Sequence, residues 1–370
     1  MSLRIVLTGG GTGGHIFPLL AVAKKIKEKR SEVEFLFLGP AGKIETKLML
    51  KESIPLKGIA CGKMRRYFSF LNFIDFFKVP LGILQSLWHL LVYMPDAIFS
   101  KGGYASLPVV LAGWAYRIPI MIHESDSVPG MANSFLGKFS NSVAVSYPQA
   151  EGYFPPSQVV LTGNPLQEGI NQGDAQKARE KFSLTESKKV IFVLGGSQGS
   201  QVINEKILEV LPELLPEYQV IHQTGEMHLA NVEKRAGELG IKIQRDGYYP
   251  FAQYANEDLK DILKVSDLVI SRSGANSLSE IAANGKPAIF IPLLGSANNH
   301  QKMNAYSLAK VGACIVLEEN NLGQNIFLKN INELMENQEL QNKLSEAIQV
   351  FYHPDAADKI AEEILKIAKI

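Results

Sequence analysis

Short apolar runs rich in β-branched residues alternate along the chain with longer stretches whose apolar positions recur every three or four residues. Arg4–Thr8, Glu34–Leu38, Ala97–Ser100, Ile118–Ile122 and Ser142–Val145 predict strands buried on both faces. Val190–Leu194, Tyr218–His222, Leu268–Ser271 and Ala288–Ile291 predict the same. Pro18–Arg30 and Ile203–Leu215 predict amphipathic helices between them. Strand–helix alternation of this kind predicts an α/β fold, with parallel sheets covered by helices on both faces.

The chain echoes itself. Arg4-Ile-Val-Leu-Thr-Gly-Gly-Gly-Thr-Gly-Gly and Lys189-Val-Ile-Phe-Val-Leu-Gly-Gly-Ser-Gln-Gly both read as an apolar strand, a glycine-rich turn and a helix start. Two doubly wound, Rossmann-like units follow from this. We expect them at 1–163 and 164–352, with the hinge near Thr162-Gly163-Asn164-Pro165. The segment 353–370 carries Ile360, Ile364 and Ile367 on one helical face and is expected to pack back on the first domain.

Composition narrows the class. Of 370 residues, 46% are hydrophobic and 20% charged, which excludes a disordered chain, a collagen-like fibre and a small disulfide scaffold. A net charge of +1 announces no nucleic-acid partner. That total hides an asymmetry, because residues 1–163 hold 17 basic and 10 acidic side chains while the rest is acidic. The two halves are therefore expected to meet different partners. The two cysteines, Cys61 and Cys314, lie far apart and suit a reducing cytosol. The apolar run before the first glycines is too short for a signal peptide. The longest apolar stretch, Val79 to Met94, is interrupted by Pro80, Gly82, Gln85 and His89 and falls short of the ~20 residues that span a bilayer.

Gly9 to Gly14 satisfies G-x-G-x-x-G between a strand and a helix. Free N–H groups at such a helix start favour a phosphate or another anion. A nicotinamide dinucleotide would also require Asp or Glu at the end of the second strand. That strand ends Phe37-Leu38-Gly39-Pro40, so the oxidoreductase reading is weak. The second loop, Gly195-Gly196-Ser197-Gln198-Gly199, adds a hydroxyl and an amide. A third, Ser100-Lys101-Gly102-Gly103-Tyr104, says little alone. Ser271 to Glu280 leaves a strand and enters a helix, offering hydroxyl and backbone donors to a phosphate and a carboxylate suited to a ribose diol. Asn298-Asn299-His300-Gln301 suits sugar hydroxyls. His15 follows the first glycine loop at a helix N-terminus, where the dipole keeps imidazole neutral and able to accept a proton. His123-Glu124-Ser125-Asp126 follows a strand at the carboxyl edge where α/β proteins place ligands.

Together the motifs resemble the MurG family of glycosyltransferases. They are Gly10–Pro18, Ser100–Tyr104, His123–Asp126, Gly163–Pro165, Gly195–Gly199, Arg272–Ala275 with Ser279-Glu280, and Asn299–Gln301. The resemblance spans nearly the whole chain in order. It implies a GT-B architecture, two Rossmann-like domains facing across a cleft. The implied activity is inverting transfer of N-acetylglucosamine from UDP-GlcNAc to the C4 hydroxyl of MurNAc in lipid I, forming lipid II for peptidoglycan. It implies no metal or other cofactor, and no Asp-x-Asp occurs.

By similarity, Glu280 would hold the uridine ribose, Ala275 to Ser279 with Ser197 and Gln198 would lie along the nucleotide, and Gln301 would read the sugar. The backbone near Asn256 would border the uracil, and Thr12, Gly13 and Gly14 would close over the donor. Two positions depart from the family pattern. Asp126 stands where Asn is usual, and Leu166-Gln167 where Val-Arg is usual, which removes a cation from the diphosphate region. His15 is the first candidate for the base and Glu124 the second. The lipid acceptor implies a peripheral protein of the cytoplasmic membrane face, within reach of a wall-synthesis complex. The basic, Phe-rich segment Lys63 to Lys78 is the expected contact with anionic lipid. A UDP-GlcNAc 2-epimerase, sharing fold and donor, is the alternative.

Overall fold

The computed structural model describes residues 2–369 apart from Thr12, 63–69, Ser197 and Ala255; the side chains at 70–72, 74, 76, 256, 257 and 297 also lie outside the description. The chain divides into two compact units, Met1–Gln167 with His353–Ile370, and Glu168–Tyr352. The second unit is thus an insertion in the chain of the first.

In the first unit the apolar runs become β1 (Leu3–Thr8), β2 (Val33–Gly39), β3 (Leu56–Gly58), β4 (Ala97–Ser100), β5 (Ile120–Glu124), β6 (Ser142–Val145) and β7 (Val159–Leu161). They form a parallel sheet in the order β3-β2-β1-β4-β5-β6-β7. Helices α1 (Gly13–Lys29), α2 (Lys43–Lys51) and α3 (Phe70–Tyr93) follow the first three strands. Ile5, Leu7, Phe37 and Phe99 are fully buried on one face with Ile16 and Leu19 of α1. Val6, Leu38, Ile98 and Ile122 fill the other face. Burial on both faces is why these strands read as unbroken apolar runs. The helix Ala356–Ile367 sends Ile360 and Ile364 into the cluster around α1 and β1, with Ile367 at its margin.

The second unit repeats the plan with β8 (Lys189–Leu194), β9 (Tyr218–Gln223), β10 (Tyr248–Phe251), β11 (Leu268–Ser271), β12 (Ala288–Phe290) and β13 (Ile315–Val316). Its parallel order is β10-β9-β8-β11-β12-β13. In each sheet the order reverses beside the first strand, between β1 and β4 and between β8 and β11. The crevice at the carboxyl ends of such a pair is where this fold places ligands. Both main glycine loops lie there.

Three local expectations shift. β5 starts after Pro119 and runs through His123 and Glu124, so those two residues are part of the strand. Pro119 supplies its carbonyl to Ile98 but has no N–H to give the ladder, and it restrains Ile118 ahead of it. Helix α1 starts at Gly13, ahead of Pro18, so both glycines and His15 belong to its first turns. Strands β3, β7, β10 and β13 went unpredicted, because each is a short edge strand only partly buried, without the two-faced burial that marks the central runs.

Candidate functional site

In the first unit the carboxyl ends of β4 and β5 and the start of α1 gather four ionisable groups: His15, Lys101, Glu124 and Asp126. Gly11 has φ +94°, and a Cβ there would lie 3.0 Å from the Tyr104 hydroxyl, so the loop accepts only glycine. Gly13 and Gly14 open α1 and are half-buried. Thr12 lies outside the described residues.

His15 is half-buried against Gly103, whose φ is +78° and whose Cβ would lie 3.3 Å from the imidazole Cε1. Its Nδ1 is enclosed without a hydrogen-bond partner among the described residues, while the Lys101 backbone bonds the ring. Burial, and then the Lys101 ammonium, hold the imidazole down at about 4; Asp126 and the Lys101 backbone act in the opposite direction. His15 is therefore neutral at physiological pH, an uncharged proton acceptor.

Glu124 is 3% exposed. Its Oε1 accepts from the Asp126 N–H at 2.9 Å, and its Oε2 from the Gly130 N–H at 3.2 Å and the Asn133 amide at 2.8 Å. Burial and the Asp126 charge push it up to about 7, against those donors and Lys101. Burial draws Lys101 down to about 8, against the pull of both carboxylates. His123 is buried on the opposite side of β5, with Nε2 within hydrogen-bond reach of the Gly163 carbonyl at 3.1 Å and Ser146 Oγ at 3.2 Å. Gln167 is exposed at the end of the first unit's leading segment.

In the second unit the loop after β8 carries Gln198, which is exposed, and leads into Ser200, the N-cap of the helix Gln201–Leu214. Ser197 lies outside the described residues. Arg272 at the end of β11 is buried and donates to Ser200 Oγ at 2.6 Å and the Ile291 carbonyl at 3.0 Å. It also pairs with Glu319 at 2.5 Å. One guanidinium thus ties together the segments that follow β8, β11, β12 and β13. Ala275 is the first residue of the helix Ala275–Ala283, and Ser279 returns its hydroxyl to the Ala275 carbonyl at 2.8 Å. Glu280, the next residue and half-buried, is raised to about 8 by burial. Its charge acts on Tyr254, whose phenol is pushed up chiefly by burial. Asn256 opens the helix Asn256–Val265; its side chain lies outside the description. Gln301 accepts from the Leu293 N–H at 3.0 Å, and its carbonyl accepts from Ser273 Oγ at 2.8 Å.

Expected site residues therefore gather at the switch point of each sheet. His15, Glu124 and Asp126 share one, and Ala275, Ser279, Glu280 and Gln301 line the other. Sequence reasoning gave no role to Lys101, Asn133 or Ser200. Lys101 had one signal, a lysine directly after an apolar strand. Asn133 and Ser200 had none, since only the fold brings them to Glu124 and Arg272. Among the described residues no group of three His, Cys, Asp or Glu side chains could hold a metal ion.

Helix α3 carries a second surface. Phe73, Phe77, Leu81, Leu84, Trp88 and Leu91 are 50–65% exposed, and their spacing of three and four places them on one face. Apolar patches of this extent mark interaction sites. Of the expected lipid-binding segment, residues 63–69 lie outside the described residues, and Lys78 pairs with the buried Asp75 at 2.6 Å. No described helix is long and apolar enough to cross a membrane.

Paired doubly wound sheets with glycine loops at their switch points define a two-domain sugar-nucleotide protein of the GT-B class. The chain belongs to glycosyltransferase family 28: the N-terminal domain of that family matches residues 5–145 and its C-terminal domain residues 190–360. It is 40% identical over 337 residues, 91% of each chain, to a Clostridium perfringens protein named UDP-N-acetylglucosamine–N-acetylmuramyl-(pentapeptide) pyrophosphoryl-undecaprenol N-acetylglucosamine transferase. Among solved structures, Acinetobacter baumannii MurG shares the fold with a TM-score of 0.75 at 24% identity, covering 98% of this chain and 99% of that one. A UDP-GlcNAc 2-epimerase from Neisseria meningitidis bound to UDP-GlcNAc has a TM-score of 0.70 at 14% identity, with 99% and 100% covered. That second likeness is one of fold.

Proposed function

We propose that this protein transfers N-acetylglucosamine from UDP-N-acetylglucosamine to the C4 hydroxyl of MurNAc in undecaprenyl-pyrophosphoryl-MurNAc-pentapeptide, with inversion and without a metal. The observation that carries this reading is the 40% identity to a transferase of that name across both domains.

The acceptor's C4 oxygen attacks the anomeric carbon while His15 takes its proton. The bond from that carbon to the β-phosphate oxygen breaks, and UDP leaves. Backbone N–H groups at helix starts meet the growing negative charge, a role open to fixed dipoles as well as to a cation. Glu280 holds the ribose diol, and Ala275, Ser279, Ser197 and Gln198 lie along the nucleotide. The backbone near Asn256 borders the uracil, Gln301 reads the sugar, and Thr12, Gly13 and Gly14 contact the donor from the first unit. Glu124, its oxygens already taken by three donors, orients the loop carrying Asp126. The exposed face of α3 lies on anionic lipid, so that the protein meets its acceptor at the cytoplasmic face of the membrane.

Labelled N-acetylglucosamine, offered with a lipid-linked MurNAc acceptor in excess EDTA, tests this. Label in the lipid fraction is expected. UDP-ManNAc formed from donor alone would mark an epimerase, and turnover abolished by EDTA would remove the metal-free mechanism.

A further inference from the structure

Glu45 lies on α2, a helix to which the transfer reaction gives no role, and is 5% exposed. It is the third residue of that helix, and Gly42 is the N-cap. A Cβ on Gly42 would overlap Glu45 Oε2, so this oxygen is tucked against the helix start, where a carboxylate is favoured. The other oxygen, Oε1, accepts from the backbone N–H of Gly11 at 2.8 Å, in the loop after β1. Gly10 threads between the same carboxylate and Pro40: a Cβ there would meet Pro40 Cγ at 2.9 Å and Glu45 Oε1 at 3.2 Å. One side chain thus clasps its own helix and the first glycine loop together. The Gly11 amide, used internally, is not offered to a ligand.

We propose that Glu45 is a positioning residue for the transfer reaction: its bond to Gly11 N–H fixes the first glycine loop, and through it the start of α1 and His15. This rests on the transferase reading above. The bond needs an acceptor atom at the reach of a glutamate side chain; the negative charge is secondary.

Two variants of the full chain separate reach from charge. Glu45→Gln keeps a carbonyl oxygen at the same reach, and Glu45→Asp keeps the charge one methylene short. With a lipid-linked MurNAc acceptor, Glu45→Gln is expected within about threefold of wild type, and Glu45→Asp about tenfold lower in kcat/KM. Amide exchange in the peptide spanning residues 9–15 is expected to be faster in Glu45→Asp and unchanged in Glu45→Gln. Equal exchange in Glu45→Asp and wild type overturns the proposal, whatever the activity. So does loss in Glu45→Gln matching that in Glu45→Asp. Wild type that fails to label the lipid would instead overturn the transferase reading, and exchange would still test the clasp.

Discussion

Asp126 gives its backbone N–H to the carboxylate of Glu124 at 2.9 Å while its own charge opposes that carboxylate's ionisation. Glu124 is raised above its usual value of 4.5, so its contribution to stability is present below 4.5 and is lost as pH rises through about 7. Asp126→Asn removes the opposing charge and reduces that loss. The melting temperature of Asp126→Asn relative to wild type is expected to be higher at pH 7 than at pH 5. Lys101 stays charged at both pH values, because it is lowered only to about 8. Calorimetry at the two pH values checks this; an equal difference at both refutes it.

The two base candidates titrate in different windows. His15, held at about 4, is already neutral throughout the range in which Glu124, at about 7, changes charge. With His15 as base, kcat is expected to vary by less than about twofold between pH 5.5 and 7.5. With Glu124 as base it would fall about tenfold per unit below pH 7. His15→Ala is expected to cost about a hundredfold or more in kcat. Unchanged turnover in that variant removes His15 from the role.

Glu280 is raised to about 8 by burial, so the free protein holds it largely protonated at neutral pH. If its carboxylate takes the ribose diol, donor binding releases a proton and tightens as pH rises from 6 to 8. Titration calorimetry in buffers of different ionisation enthalpy reads the proton directly. Glu280→Gln is expected to raise the donor KM about tenfold and leave the acceptor KM unchanged.

On α3, Phe77 and Trp88 are 59% and 64% exposed. Replacing both by Glu is expected to abolish flotation with anionic vesicles while helicity and melting temperature stay at wild-type values. Flotation of the double variant with the wild-type fraction would exclude this face as the lipid contact.

The central strands were legible because both faces of each are buried, leaving an apolar run that needs no period to be recognised. Both main glycine loops were legible for a related reason: a Cβ at Gly11 would strike Tyr104, and that restriction is written in residue type. The short strands at and near the sheet edges left no such mark. Lys101 and Glu45 were not legible as site residues, because their roles exist only where separate loops converge. Sequence shows a lysine and a glutamate; burial and a partner distant in the chain give each its meaning. The lipid-binding expectation was centred on residues 63–78, whereas the exposed apolar face runs on to Leu91. Its helical period was obscured by the apolar residues of α3 that pack inward, among them Leu90.

The position of Ile360 and Ile364 in the core around α1 sets an order on biosynthesis. On the ribosome, every residue of 168–352 is translated before those two side chains exist. The earlier unit therefore waits for its returning helix until translation of the inserted unit is over. Until then Leu3, Ile5 and Ile16 form a nascent flank short of its last covering helix, an interval in which a chaperone has something to hold.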